Sequence, residues 1–166
     1  MGAARVVIQT EDFDLSHEVR ALHLQDLGVG AVTSFVGTVR DRDGAAVDAQ
    51  VGPVQRLELE HYPGMTEAAI ESMIDEAFAR FDIRAARVIH RVGCLEPGDP
   101  IVLVAVASAH RGESFKACEF LMDYLKTQAP FWKKEHFPEG ARWVDARVSD
   151  DECLARWGIR AGNAGC

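Results

Sequence analysis

The stretch from Ile101 to Ala107 is built from isoleucine, valine, leucine and alanine alone. A strand with one solvated face alternates polar and apolar residues. A run with no polar position has to be covered on both faces, which places it at the centre of a sheet. Even extended to Ala109 the run is far shorter than the ~20 residues a bilayer requires, so no membrane span is expected.

The flanking sequence supplies the layers around it. Val6 to Ile8 is a short β-like run, and residues 15–27 carry a weak helical pattern through Leu15, Val19, Leu22 and Leu27. Val29 to Val39 reads as a strand. Asp41 to Pro53 is polar and turn-rich, a loop or hairpin tip. Leu57 and Leu59 alternate with Glu58 and Glu60, the mark of a half-buried strand. Thr66, with Glu67 in the first turn, is expected to cap a helix carrying Ile70, Met73, Ile74, Ala77, Phe78 and Phe81. Arg87 to Val92 is a further strand and Glu96 to Asp99 a turn, which leaves Cys94 in a turn as well.

Ser114 is expected to cap the next helix, with Phe115, Cys118, Leu121, Met122 and Leu125 as its buried stripe and Pro130 as its end. Phe131–Phe137 and Arg142–Ala146 read as two closing strands, and residues 150–157 as a short helix. The pattern predicts an α+β fold: a two-layer sandwich with a mainly antiparallel or mixed sheet, helices packed on it, and a small β-rich subdomain. One catalytic domain is expected over residues 1–157, with an insertion at residues 41–53 and a flexible tail at residues 158–166.

Charge narrows the function. With 18 Lys and Arg against 26 Asp and Glu, the net charge is −8, which argues against a nucleic-acid binder. A site for an anion must be a local concentration of cations. The four cysteines, at 94, 118, 153 and 166, fit no zinc spacing and read as reduced thiols of a cytoplasmic protein. The N-terminus has no secretory apolar region. Gly28-Val29-Gly30 lacks the third glycine of a dinucleotide fingerprint and precedes a strand, and no phosphate loop, serine elbow or zinc-binding helix motif occurs.

Three features carry possible chemistry. Lys126 to Lys134 holds three lysines and no acidic residue. These lysines either complement a helix end and face solvent, or one of them enters a cleft. Strand alternation sends Lys133 to the side of Phe131 and Glu135, and Lys134 to the side of Trp132. His110-Arg111 closes the apolar run just ahead of a helix, and is either a polar loop or an anion cradle. Arg40 ends the long strand. Should Arg40, Arg111, Lys126 and Lys133 converge, they form a pocket for an anionic substrate, with a lysine available for proton transfer.

The same segments resemble one family. Leu57 to Glu67 (LELEHYPGMTE), Val88 to Gly93 with Pro97-Gly98-Asp99, Ser108-Ala109-His110-Arg111, Met122 to Thr127, Ala129 to Glu135 and Arg142-Trp143-Val144 are similar, in order, to the signatures of the large, catalytic subunit of molybdopterin synthase. The resemblance runs from about residue 5 to about residue 157.

The resemblance implies a sulfurtransferase. Its substrate is cyclic pyranopterin monophosphate, which receives two sulfurs as a dithiolene in molybdenum cofactor biosynthesis. The sulfur comes as a thiocarboxylate on the C-terminal tail of a small ubiquitin-like subunit. It implies no cofactor and no metal, and a heterotetramer with a central homodimer of large subunits. Lys126 is the implied essential lysine and Lys133 the second. Thr38, Val39, Arg40, His110 and Arg111 are the implied pterin and phosphate contacts. Lys134 and Glu135 border the site, Arg147 is a basic residue that a neighbouring large subunit supplies, and Phe35 and Met122 shape the pocket. Ala164-Gly165-Cys166 is not the Gly-Gly end of a sulfur carrier. Two other readings stand beside this one: an inactive scaffold that only docks a ubiquitin-like partner, and an enzyme that forms a Schiff base through Lys126.

Overall fold

The computed structural model describes residues 4–41, 52–144 and 148–160. In chain order the elements are β1 (Val6–Gln9), α1 (Leu15–His23), β2 (Ala31–Thr38), β3 (Arg56–His61), α2 (Met65–Arg80), β4 (Ala85–Arg91), β5 (Gly93–Leu95), β6 (Pro100–Ser108), α3 (Arg111–Gln128), β7 (Phe131–Phe137), β8 (Gly140–Val144) and α4 (Val148–Ala155).

Two four-stranded sheets result. The first has the order β1-β4-β6-β2, with β1 parallel to β4 and the other pairs antiparallel. The second has the order β5-β3-β7-β8 and is antiparallel throughout. It is the β-rich unit expected from the sequence, and the α+β class holds.

The apolar run became the inner strand β6. Val102, Val104 and Val106 pack under α2 and α3, beside Ile70, Met73, Ile74, Phe120 and Leu121. Leu103 and Ala105 face the other way, toward Leu22 of α1 and Val36. Coverage on both faces is therefore real, and the short α1 supplies part of the second cover. Gly30 permits the close approach of β2 to the end of β6: a Cβ there would lie 2.3 Å from the Ala109 carbonyl oxygen.

Several boundaries differ from expectation. β2 starts two residues later than the β-branched run suggests, and α1 stops at His23 because Asp26 turns the chain, accepting from the Gly28 amide at 2.9 Å. Thr66 and Ser114 are not caps. Gly64 holds the first cap position with φ +84°, a region that glycine enters without strain, and its amide donates to Glu67 at 2.7 Å. His110 holds the second cap position with extended backbone. Cys94 lies in the strand β5, exposed, and not in a turn. Cys118 is core, as expected; burial pushes its thiol up to about 11.

The closing segment clasps α3. Trp157 Nε1 donates to Asp123 at 2.8 Å, and its ring meets those of Phe81 and Phe120 edge-on. Most of the 41–53 insertion and residues 161–166 of the tail lie outside the described residues. No described helix is long and apolar enough to cross a membrane.

Candidate active site

The centre of the site is the turn between α3 and β7. Pro130 has no amide hydrogen to continue the helix, so α3 ends with Ala129 as its C-cap and Phe131 opens the strand. Lys126 stands in the last helical turn, exposed beside the buried Leu125. Lys133 stands on β7, opposite Leu59 of β3 and Val144 of β8.

Alternation then decides which lysine shares the face of the buried leucines. Phe131, Lys133 and Glu135 share a face with the buried Leu57 and Leu59. The Phe131 ring stacks on His90, with centroids 3.8 Å apart and planes 18° from parallel. Burial pushes the His90 imidazole down to about 4, although its bond to the Arg91 carbonyl opposes this; the charges of Lys133 and His61 push it further down. Lys133 is thus on the face turned toward His90, with its side chain exposed. His61 Nε2 lies 3.7 Å from the Glu67 carboxylate.

Arg40 reaches the same end of the molecule. The Val39 amide donates to the Asp99 carbonyl at 2.9 Å, and the Gly98 amide donates to Val39 at 2.8 Å. Val39 is buried with Leu57, Leu59 and Leu95, the core beneath the face of β3 and β7 that carries Lys133. Thr38 pairs with Pro100, the first residue of β6. Lys126 comes back to this end because α3 runs antiparallel to β6; Leu125 and Val102 share one buried cluster. Met122, one turn before Lys126, packs against that cluster.

His110 and Arg111 are elsewhere. They join β6 to α3 at the opposite end of both elements. Arg111 is about 22 Å from Lys126 along the helix axis, from fifteen residues at ~1.5 Å rise. The length of β6 separates the two ends by about 27 Å. The convergence of Arg40, Arg111, Lys126 and Lys133 therefore does not occur within one chain. The reason is topological: consecutive antiparallel elements share a junction at one end only. At that junction the backbone is held firmly. Ser108 donates to the His110 carbonyl at 2.5 Å, Ser114 donates to the Arg111 carbonyl at 2.9 Å, and Thr33 bonds Ser114 at 2.8 Å. Both side chains are exposed at a helix N-terminus, an arrangement suited to an anion.

Two bordering residues divide. Glu135 stays on the inner face and accepts from Arg142 at 3.2 Å. Lys134 turns away: its ammonium lies 5.4 Å from the centre of the Trp143 ring, on the outer face with Glu58. Phe35 lies mid-strand, opposite Val104, and is exposed. Arg147 lies outside the described residues. Among the described residues no group of three or more His, Cys, Asp or Glu is placed to hold a metal.

Sequence reasoning passed over two groups near the lysines. In the sequence His90-Arg91 is a second His-Arg pair, read as a polar pair within a sheet in preference to an anion cradle, and Thr66 reads only as a cap. Both are buried, Thr66 completely. A polar residue at an apolar position of a strand, or inside a first helical turn, was the available signal.

Comparison with known proteins bears on this arrangement. A family model described as MoaE protein matches residues 8–128. The molybdopterin synthase catalytic subunit of Ralstonia nicotianae is 59% identical over 158 residues, covering 95% of this chain and 86% of that protein. Among solved structures, the molybdopterin biosynthesis MoaE protein of Burkholderia ambifaria superposes with a TM-score of 0.79 at 52% identity, covering 95% of this chain and all of the other. The molybdopterin synthase of Staphylococcus aureus gives a TM-score of 0.77 at 28% identity, covering 86% of this chain and 98% of that one.

Proposed function

The chain belongs to the MoaE protein family, and from that membership we propose that it is the catalytic subunit of a molybdopterin synthase. It transfers sulfur to cyclic pyranopterin monophosphate from the thiocarboxylated tail of a small ubiquitin-like subunit. The observation that carries this reading is the lysine turn. Lys126 and Lys133 flank Pro130 at the end of the molecule that Arg40, just beyond β2, also reaches, in a chain of net charge −8. Cations gathered there suit both a phosphate-bearing substrate and an anionic thiocarboxylate.

The chemistry needs no oxidant. The thiocarboxylate sulfur attacks an oxygen-bearing side-chain carbon of the pterin, the carbon–oxygen bond breaks with the oxygen leaving protonated as water, and carrier and pterin are linked as a thioester. Water adds to the thioester carbonyl, and the tetrahedral intermediate collapses with cleavage of the acyl carbon–sulfur bond. Sulfur stays on the pterin and the carrier leaves as a carboxylate. Lys126 stabilises the developing oxyanion and moves the proton, and Lys133 holds the anionic partner opposite. The protein residues act by charge and proton transfer, with no resident cofactor. The three described cysteines, which form no disulfide, fit a reducing cytoplasm.

Geometry adds a requirement. A pocket that uses His110 and Arg111 as well as Lys126 takes the first two from a second copy of the chain, because about 22 Å separates them within one. This reading fits a central homodimer with a carrier subunit on each copy, and accounts for residues at both ends of α3.

A single-turnover assay tests the function. The protein is mixed with thiocarboxylated small subunit and cyclic pyranopterin monophosphate, with Lys126→Ala in parallel. Dithiolene product from the wild type alone is the expected result. Carrier binding without product favours the docking scaffold.

A further inference from the structure

We propose that Thr66 is a positioning residue for the lysine turn, setting Lys126 and Lys133 in register through the Pro130 carbonyl. This inference rests on the assignment of the two lysines above and goes beyond it.

Thr66 is completely buried, in the first turn of α2. Its hydroxyl accepts from the Tyr62 amide at 3.0 Å and donates to the Pro130 carbonyl at 3.0 Å. Its own amide donates to the Tyr62 carbonyl at 2.9 Å. One side chain therefore ties three segments together: the end of β3, the start of α2, and the turn from α3 to β7.

The position of the accepting carbonyl gives the bond its meaning. Pro130 lies four residues after Lys126 and three before Lys133. Ladder pairing of β7 begins only at Phe131, opposite His61, and α3 has ended at Gln128. Between them the chain belongs to neither regular element, so the backbone angles at Ala129 and Pro130 decide how the two lysines stand to one another. The Phe131 ring, clamped on His90, fixes one side of this joint. The Thr66 hydroxyl fixes the peptide between. A hydrophobic residue of the same shape would fill the space and leave that carbonyl free to turn.

Thr66→Val and Thr66→Ser test this, with Thr66→Ala repeating the deletion without an added methyl. Single-turnover dithiolene formation is measured beside the dissociation constants for the pterin and for the carrier subunit. A turn displaced by about 1 Å predicts a rate about 10²-fold lower for Thr66→Val, binding within about twofold of wild type, and most of the rate restored in Thr66→Ser. A crystal structure of Thr66→Val gives a readout independent of the reaction: Pro130 rotated and the Lys126-to-Lys133 separation changed.

An unchanged rate in Thr66→Val with an active wild type overturns the inference. So does a Thr66→Ser variant as slow as Thr66→Val, or a turn that has not moved. A wild type that binds its carrier and makes no dithiolene overturns instead the functional reading on which the inference rests, and the crystal structure then still reports on the joint.

Discussion

The imidazole of His90 lies face to face with the ring of Phe131, centroids 3.8 Å apart, and by this contact a core strand of the first sheet grips the first residue of the strand that carries Lys133. The Nδ1 atom donates to the Arg91 carbonyl at 2.8 Å, which fixes the neutral tautomer. Burial keeps the stacked ring uncharged.

That contact predicts an acid sensitivity. The His90 pKa falls from 6.5 to about 4 on folding, so the unfolded chain binds the proton more readily. The contribution to stability is complete above pH 6.5 and is lost as pH falls from there to about 4. From pH 7 to pH 5 this amounts to about 2 kcal/mol. His90→Phe keeps an aromatic ring and removes the titration. Urea unfolding at the two pH values should show a smaller acid loss in the variant than in the wild type; equal losses would assign the acid sensitivity to other groups.

Replacement of the lysines separates two roles. Lys126→Ala should lower the single-turnover rate by about 10²-fold or more while carrier binding persists. Lys133→Ala should weaken retention of the anionic partner as well as the rate. Calorimetric titration with the thiocarboxylated carrier, run beside the rate measurement, distinguishes them. Lys134→Ala, which removes a cation turned to the outer face against Trp143, should leave both nearly unchanged.

The separation of Arg111 from Lys126 along α3 predicts complementation between copies. Arg111→Ala and Lys126→Ala, each inactive alone, should recover about one quarter of wild-type activity when co-expressed. Half of the dimers are mixed, and each mixed dimer holds one intact pocket. Recovery near zero, with mixed dimers confirmed by mass spectrometry, would rule out a pocket that takes Arg111 from the second copy.

Phe120 is the stability counterpart. It is a fully buried residue of α3 and touches Phe81, Tyr124 and Trp157 edge-on, so it joins α3 to the closing segment. Phe120→Ala should cost about 3–5 kcal/mol and release the α4 clasp. Denaturant unfolding measures the first effect. Loss of Trp157 fluorescence shift ahead of global unfolding would report the second.

Much of the fold was legible because burial writes itself into composition. Val102 to Ala107 had to be covered twice, and Phe131–Phe137 kept its predicted bounds because Pro130 and the following turn punctuate it. The three residues of β5 were too few to carry a pattern. Thr66 and Ser114 looked like caps because that is where such hydroxyls usually serve. Here they bond across the fold, to Pro130 and to Thr33, partners far away in sequence. The sidedness of Lys133 was legible from strand alternation. The separation of His110 and Arg111 from the lysine turn was not, since spacing along a chain does not reveal which way a helix returns along its strand.

The length of α3 has a consequence for concentration. If Arg111 and Lys126 serve one pocket, as proposed, a chain that holds them about 22 Å apart on one rigid helix cannot close that pocket on itself, however it fluctuates. On the proposed assignment, a dilute solution of separated copies is a solution of half-sites. Specific activity would then fall on dilution below the dissociation constant of the pair and return on concentration, with no covalent change to the enzyme.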